Sequence, residues 1–486
     1  MSRSLEPEAP RLLGTRTFTD DDQRRFAAES RDVNPMHMDP VAARRLLSGR
    51  QVVHGVHTLI QALDLGLPPA PPQGWSVQCH FAHPVSLGDR VEFHAVPASQ
   101  GRHRLTAKVD GVVATDIVLR AADGAAPPVP FGGPWRSVGA LATPLDEPPE
   151  SWVGQTLEIE SWPDRLAELY PRAAQALGRG ALGDLARLSF VVGMVCPGLH
   201  SVFASLQFRC GAGTRADAPP GTPLRVQVTR HDPRFRMLFI AFQGSVNGEL
   251  RAFVRPPPQA QPGSAELLGR ADAGAWAGRR ALVVGGSRGL GELAAKLLGA
   301  AGGHVTISHA RGRDDALAVA RDIEAAGAGR CDVVPWDLAA SFAPPPGLDA
   351  AALDAVFYFA TPRIFAKRAA AFQRDAFDTF VRFYLERFHE LCLWLEGTGR
   401  PVRVYLPSTV YIGERPPGMA EYAMAKAAAE VLAEELNRSL RHVRIVHTRL
   451  PRLPTDQTAA VMALDSGDAV EAITGVLRLV RAALPG

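Results

Sequence analysis

Apolar and polar positions divide the chain into two regimes. Beyond residue 276, short apolar runs, RALVV (280–284), HVTIS (304–308), CDVVPW (331–336), LDAVFYFA (353–360), VRVYLP (402–407) and VRIVHT (443–448), alternate with helical segments. These segments lie near 290–301, 314–326, 372–396, from about 420, and 468–484. Short buried strands separated by helices predict a parallel sheet covered on both faces. Ahead of residue 256 the pattern is strand-rich and weakly repeated. VEFHAV (91–96) and RLTAKVDGVVATDIVLR (104–120) are answered by LRVQVTR (224–230) and MLFIAFQGSVNGELRAFVR (237–255). Each copy predicts a strand pair closed by a hairpin turn, at Asp110-Gly111 and at Asn247-Gly248. HGVHT (54–58) has a looser echo in PGLHS (197–201). The proline-rich stretch PPPQAQPGSAELLG (256–269) separates the two regimes and reads as a semi-rigid linker.

Composition narrows this picture without redirecting it. At roughly 100–200 residues per domain, 486 residues predict two to four domains. With 46% hydrophobic and 21% charged residues, the chain is neither disordered nor membrane-embedded. A net charge of +3 gives no field that would attract nucleic acid or an anionic lipid surface. Only four of the 53 basic residues are lysine (Lys108, Lys296, Lys367, Lys426), so a lysine inside a motif is informative. Five dispersed cysteines without a CxxC pair fit reduced buried thiols and offer no metal site. The start, MSRSLEPEAPRLLG, lacks the apolar core of a signal peptide, and no run of about 18 apolar residues occurs. A soluble cytoplasmic protein is expected, with no membrane partner.

The first cluster of chemistry lies near the N-terminus. Thr19 before an acidic first turn is a helix start, and the helix breaks at DVNP. Asp32-Val-Asn34-Pro35-Met-His37 is followed seventeen residues after His37 by His54-Gly55. A carboxylate and an imidazole held together by a proline-stiffened loop suit the addition or removal of water beside a thioester. Free amides at a helix start after Gly55 suit the enolate-like charge on the thioester oxygen. This composite resembles the MaoC-like family of (R)-specific enoyl-thioester hydratases and dehydratases, which have the hotdog fold. The resemblance implies that Asp32 and His37 form the acid/base dyad, that the Gly55 amide is the oxyanion donor, and that Asn34 and His54 contact substrate. Arg31 stands where the family usually has glycine. The comparable stretch of the second copy, WPDRLAELYPRAAQALGRG, carries no such motif, so that half is expected to be degenerate and to shape an acyl tunnel, with His200 structural.

The second cluster begins at Gly285-Gly286-Ser287-Arg288-Gly289-Leu290-Gly291, which follows a strand and opens a helix. Glycines there permit a tight turn and let a pyrophosphate approach the helix N-terminus. Farther on, Ser408 follows a strand, Tyr422 comes fourteen residues later and Lys426 four after that. Six tyrosines and four lysines predict only about 0.05 Tyr-x-x-x-Lys pairs by chance. At i and i+4 the two share one helical face, where an ammonium lowers a phenol pKa. The region from about 276 onward resembles the short-chain dehydrogenase/reductase family, closest in pattern to 3-ketoacyl-thioester reductases. That implies Ser408 on the substrate carbonyl, Tyr422 as proton donor and Lys426 as its partner, with Gly285, Ser287, Arg288, Gly289, Leu290, Gly291, Asp337 and Ala360 at the cofactor. Departures from the family are Val284 in the loop, FYFATP (357–362) for Asn-Asn-Ala-Gly, Tyr384 where a relay asparagine is usual, and LPRLPTDQT near 450–458. No acidic residue stands at Ser308 or His309 to hold a ribose 2′-hydroxyl, while Arg288, Arg311 and Arg313 can surround a 2′-phosphate, which favours NADP(H).

The expected architecture is an α+β double hotdog followed by an α/β Rossmann-type doubly wound parallel sheet. The domains would be 1–125 (active hotdog half), 126–255 (degenerate half), 256–275 (linker) and 276–486 (reductase). The two patterns belong to consecutive steps on one carbon skeleton. They predict a bifunctional enzyme in fatty-acid-like or polyketide synthesis, acting on thioesters of coenzyme A or an acyl carrier protein, without metal, and possible as a homo-oligomer. Two other readings stay open: only one half is catalytic, or the chain is a non-catalytic NADP-responsive acyl-binding regulator.

Overall fold

Strands in the first half of the chain bury alternate residues, as Trp75, Val77 and Cys79 do between the more open Ser76 and Gln78. That is the pattern of a sheet packed on one face. The computed structural model describes all residues except 1–8, 47, 70, 72–73, 99–100, 123–130, 133–134, 211–221, 328, 365–371, 456–466 and 485–486. The chain divides after Pro257 into two compact units. The expected boundary at 125/126 falls outside the described residues.

The first unit is built on β1 (Arg11–Thr17), β2 (Trp75–Phe81), β3 (Arg90–Val96), β4 (Arg102–Val109), β5 (Val112–Ala121), β6 (Trp135–Val138), β7 (Thr156–Ile159), β8 (Ser201–Cys210), β9 (Leu224–Asp232), β10 (Met237–Gln243) and β11 (Asn247–Val254). They form one sheet in the order β1-β3-β4-β5-β2-β8-β11-β10-β9-β7-β6. The order β1-β3-β4-β5-β2 is repeated by β7-β9-β10-β11-β8, and β2 pairs antiparallel with β8 where the halves meet. Helix α1 (Asp20–Ser30) precedes the first candidate site. One long buried helix lies between the first two strands of each repeat, α2 (Gly55–Gly66) and α3 (Arg179–Phe190). Val56, Leu59, Ile60 and Leu63 of α2 share one core with Leu182, Leu185 and Leu188 of α3.

Two local expectations are corrected. Asp110 and Gly111, both at positive φ, close β4 and β5 as expected. Asn247-Gly248, however, already lies in β11, and the turn is Gly244-Ser245-Val246, held by the buried Asp184 carboxylate, which accepts from the Ser245 and Val246 amides. A Cβ at Gly248 would sit 2.0 Å from the Gln207 carbonyl, so this glycine serves close strand approach rather than turning. HGVHT opens α2, whereas PGLHS is a short turn entering β8, so the two are not equivalent positions.

The second unit contains β12 (Arg280–Val284), β13 (His304–His309), β14 (Arg330–Pro335), β15 (Ala355–Tyr358), β16 (Val402–Thr409) and β17 (Val443–Leu450). All pair in parallel in the order β14-β13-β12-β15-β16-β17. Strand order reverses between β12 and β15, the crevice where such sheets bind ligands. Ala281 and Val283 face a core with α4 (Gly289–Ala300), α5 (Arg313–Ala325) and the C-terminal helix (Ala469–Ala483). Leu282 and Val284 face a second core with α6 (Arg374–Val381), α7 (Arg387–Glu396) and α8 (Ala420–Ser439), and a π-helical turn, Arg382–Glu386, joins α6 to α7.

The stretch expected as a linker is mostly part of this unit. Ser264 donates from its amide and hydroxyl to Asp322 at 3.0 Å, the Lys296 ammonium donates to the Pro262 carbonyl at 3.2 Å, and Leu267 and Trp276 are core residues. Among the described residues, no helix is long and apolar enough to cross a membrane.

Two candidate active sites

In the first unit, a capping box at Thr19 starts α1, and Arg31, at φ 58°, ends it. The chain then extends through Asp32 to Asn34, whose side-chain oxygen accepts from the Met36 amide at 3.0 Å and starts the turn Pro35–Met38 that presents His37. Asp32 is 1% exposed. Its carboxylate accepts from the Ser189 hydroxyl at 2.8 Å and from the Asn34 amide at 3.3 Å. His37 Nδ1 lies 2.6 Å from the Val52 carbonyl, which can only accept, so a neutral ring keeps its proton on Nδ1 and leaves Nε2 as the acceptor. His54 Nε2 donates to the Asp32 carbonyl at 2.9 Å, and its ring stacks on His37 at 3.9 Å. One donor-type atom of each of Asp32, His37 and His54 lies within 4.8 Å of the others. These are metal-ligand residue types, but each imidazole has one nitrogen committed to a backbone carbonyl, and stacked rings aim their nitrogens along parallel planes. The cluster is better suited to proton transfer.

Burial pushes the Asp32 carboxyl above its ordinary range, opposed by the charge of His37, the Ser189 hydroxyl and the Asn34 amide. His54 is held well below its ordinary value, chiefly by burial and then by His37. It is therefore a neutral prop rather than a second acid. Gly55 opens α2 with its first-turn amide outside the helix's own bonds, and a Cβ there would press on the Phe81 ring at 3.1 Å.

Two expectations fail on geometry. Asn34 does not reach toward substrate: its amide nitrogen donates to the Gly193 and Gly198 carbonyls at 2.7 and 3.1 Å. His54 is wholly buried and offers no surface to a ligand. Both position the loop. The second half is also not a bystander to the dyad. Besides Ser189, it brings Gly193 so close that a Cβ would lie 2.3 Å from an Asp32 oxygen. Neither residue belongs to a motif, and the contacts span more than 150 positions, so the sequence carried no signal for them. His200 lies 3.5 Å from Asp146.

In the second unit, the glycine loop fits the crevice that it lines. Gly285, at φ +83°, has room for no Cβ, since one would lie 2.9 Å from the Ala360 amide, and at Gly291 one would lie 2.2 Å from the Gly285 carbonyl. Ser308 ties the loop to β13 by accepting from the Gly285 amide on its hydroxyl and from the Gly286 amide on its carbonyl. Ser287, Arg288 and Leu290 are half-buried along the loop, and Gly289 begins α4, whose free first-turn amides form an anion cradle. Arg311 and Arg313 are exposed near the end of β13. Asp337 is exposed after β14, with its carboxylate accepting from the Ala339 amide at 3.0 Å. The arrangement can hold the pyrophosphate of a dinucleotide.

Ser408 is corrected. Successive strand residues point to opposite faces, and Ser408 donates to Glu430 at 2.5 Å, a carboxylate that also pairs with Arg449. The side chain of its neighbour, Thr409, approaches the Tyr422 hydroxyl and tempers the rise of its pKa. Lys426 Nζ donates to the Pro407 carbonyl at 2.6 Å. Burial pushes Tyr422 up to about 12 and Lys426 down to about 7, the latter opposed by Glu430. The strand hydroxyl that lies with Tyr422 and Lys426 is therefore that of Thr409. Thr409 was readable in principle, as the other hydroxyl at the end of the strand.

Residues 4–118 match the MaoC like domain family, so the chain carries a MaoC-like domain at its N-terminus. Over 93 residues it is 32% identical to the mitochondrial 3-hydroxyacyl-[acyl-carrier-protein] dehydratase of Arabidopsis thaliana, a stretch that is 18% of this chain. The chain spans 55% of the length of that relative. Among solved structures, it is similar to a 3-oxoacyl (acyl-carrier-protein) reductase of Agrobacterium tumefaciens with NADP bound: 21% identity, 42% of this chain, 87% of that one, TM-score 0.36. It is similar also to a short chain dehydrogenase of Burkholderia cenocepacia in complex with NADP: 23% identity, 43% of this chain, 92% of that one, TM-score 0.35.

Proposed function

We propose that the chain is a bifunctional enzyme: a 3-hydroxyacyl-thioester dehydratase on an α+β double hotdog, followed by an NADPH-dependent 3-oxoacyl-thioester reductase on a Rossmann-type sheet. The observation that carries the reading is the buried Asp32–His37 pair, with its proton positions set by fixed acceptors and donors. The bare Nε2 of His37 takes the proton from the α-carbon of the 3-hydroxyacyl thioester. The carboxyl of Asp32, kept able to hold a proton by burial, gives that proton to the β-hydroxyl, which leaves as water. The electron pair of the broken C–H bond becomes the new double bond, and the amide at Gly55 stabilises charge passing through the thioester oxygen. Run backwards, the same groups hydrate a 2-enoyl thioester.

In the second unit, Gly285, Gly289, Gly291 and the first-turn amides of α4 would hold the pyrophosphate, with Arg288, Arg311 and Arg313 toward a 2′-phosphate and Ala360 and Asp337 beside the nucleoside. When bound, NADPH supplies the hydride that reduces the 3-oxo carbon. Thr409 orients the substrate carbonyl, Tyr422 gives its hydroxyl proton to the oxygen, and Lys426 stabilises the phenolate that forms. The substrate is a thioester of coenzyme A or a carrier protein.

The test couples both halves. With a 3-oxoacyl thioester and NADPH, the wild-type chain should oxidise NADPH and release enoyl thioester. Asp32→Asn should accumulate the 3-hydroxyacyl thioester while NADPH oxidation continues, and Tyr422→Phe should stop NADPH oxidation but leave hydration of a crotonyl thioester. If neither variant changes its own half-reaction, the assignment is wrong.

A further inference from the structure

Lys426 presents an electrostatic problem that no carboxylate solves. Its side chain is 5% exposed, and among the described residues it forms no ion pair within 4 Å. The nearest acid along the helix, Glu430, is taken up by Arg449 and Ser408. One backbone carbonyl, that of Pro407, accepts from it. What else faces the ammonium is an aromatic surface: Nζ lies 3.8 Å from the centroid of the Tyr384 ring, against 6.0 Å for Tyr422.

We propose that Tyr384 is a positioning residue whose ring face clamps the Lys426 ammonium, in a ring orientation fixed by Thr361. The proposal rests on the reading of this unit as a reductase. Several observations converge on it. Tyr384 is 1% exposed and its hydroxyl lies 2.5 Å from that of Thr361. Its ring stacks on Phe380 with 8° between planes, and both rings meet Tyr422 edge to face. It sits on the π-helical turn 382–386, a local widening of the helix that recurs at functional sites. Burial holds its hydroxyl well above the ordinary phenol range, so the ring acts as a neutral quadrupole and not as a proton carrier.

The anchor gives the clamp a direction. Thr361 directly follows Ala360, whose amide is the atom that a Cβ on Gly285 would strike. A contiguous path thus runs from the glycine cradle through Ala360, Thr361 and Tyr384 to Lys426. An ammonium has three donors. With one on the Pro407 carbonyl and one over the ring, the third is left for Tyr422 or a sugar hydroxyl, and the clamp determines where it points.

The chain's lysine poverty makes the test direct. With lysines ¹³C-labelled at the ε-carbon, a methylene beside a ring face should resonate upfield of the other three, and Lys426→Met identifies it by its loss. Tyr384→Leu should return that resonance to the ordinary position, whereas Tyr384→Phe, which keeps the ring, should retain most of the upfield shift. In turnover, Tyr384→Leu should lower kcat for NADPH oxidation about tenfold with KM for the 3-oxoacyl thioester nearly constant. Because the ring favours the charged lysine, its removal should also move the alkaline limb of the kcat profile to lower pH. Tyr384→Phe and Thr361→Val should fall between. A lysine resonance that Tyr384→Leu leaves in place overturns the clamp whatever the activity, and so does a Tyr384→Leu enzyme with the wild-type kcat and pH profile. A wild-type chain that reduces no 3-oxoacyl thioester overturns instead the reductase reading, and with it the clamp's catalytic purpose, even where the resonance behaves as expected.

Discussion

Replacing Ser189 by alanine tests whether the second half of the first unit takes part in the chemistry of the first. The Ser189 hydroxyl is 2.8 Å from the Asp32 carboxylate, both groups are buried, and among the described residues the other hydrogen-bond donor to that carboxylate is the Asn34 amide at 3.3 Å. A hydrogen bond to a charged, buried acceptor is worth about 1.5–3 kcal/mol. If that contribution is lost from the transition state, kcat/KM for hydration of a crotonyl thioester should fall roughly ten- to a hundredfold. The pH profile separates this from loose packing. Ser189 lowers the Asp32 pKa against the upward push of burial. Removing it raises the pKa of Asp32, so the limb of the activity bell that Asp32 sets should move to higher pH. Ser189→Thr, which keeps the hydroxyl, should recover part of the loss. Gly193→Ala, whose Cβ would sit 2.3 Å from an Asp32 oxygen, should be worse than Ser189→Ala because the carboxylate itself must shift. A folded Ser189→Ala chain with wild-type kcat/KM, or with its bell moved to lower pH, would refute the reasoning.

Three further outcomes follow from the second unit. Thr409→Val should lower the rate of NADPH oxidation by about two orders of magnitude, as loss of a positioned donor does, while Ser408→Ala should act mainly on thermal stability through Glu430; the reverse ranking in a side-by-side assay would restore Ser408 to the site. Gly285→Ala should abolish NADPH binding measured by nucleotide fluorescence, because φ +83° and the Ala360 amide leave no place for a methyl group, and retained binding would show that the loop is not the cradle. Burial places Lys426 near 7, so its charged form prevails below that pH and is lost as pH rises through it; NADPH affinity by titration calorimetry should weaken across that window, and a flat response would remove the ammonium from the nucleotide site.

What the sequence revealed and what it hid divide along the range of the interactions. The parallel order of β12–β17 and the helices between them follow from short apolar runs and helical periods, which are local. The placement of His37 follows from Asn34 and Pro35, again within a few residues. Ser189 and Gly193 reach Asp32 only because β2 and β8 join the two repeats into one sheet, and no local pattern encodes that contact. Ser408 and Thr409 fail differently. The element was right, but a strand's two-residue period makes a one-position choice decide which face carries the hydroxyl. The Asn247-Gly248 turn misled because the dipeptide favours tight turns in general, whereas here Asp184, far away in sequence, holds a three-residue turn one step earlier. The proline-rich stretch reads as spacer because prolines lack amide donors, yet the hydrogen bonds from Ser264 to Asp322 seat its second half on the second unit.

The two sites also share one physical device. Each buries an ionisable group against a backbone carbonyl or a hydroxyl instead of a full counter-charge, and so moves its proton affinity toward neutrality. At Asp32 burial raises a carboxyl, and the Ser189 hydroxyl tempers the rise. At Lys426 burial lowers an ammonium to about 7, with the Pro407 carbonyl at hand. A stronger partner would defeat the purpose: an arginine beside Asp32 would fix it as an anion unable to protonate a leaving hydroxyl, and a free carboxylate beside Lys426 would lock the ammonium in an ion pair. In the second unit that carboxylate exists, Glu430, and the chain spends Arg449 and Ser408 on occupying it. Ser408 thus belongs with the Glu430–Arg449 pair, while Thr409, one residue on, faces the tyrosine.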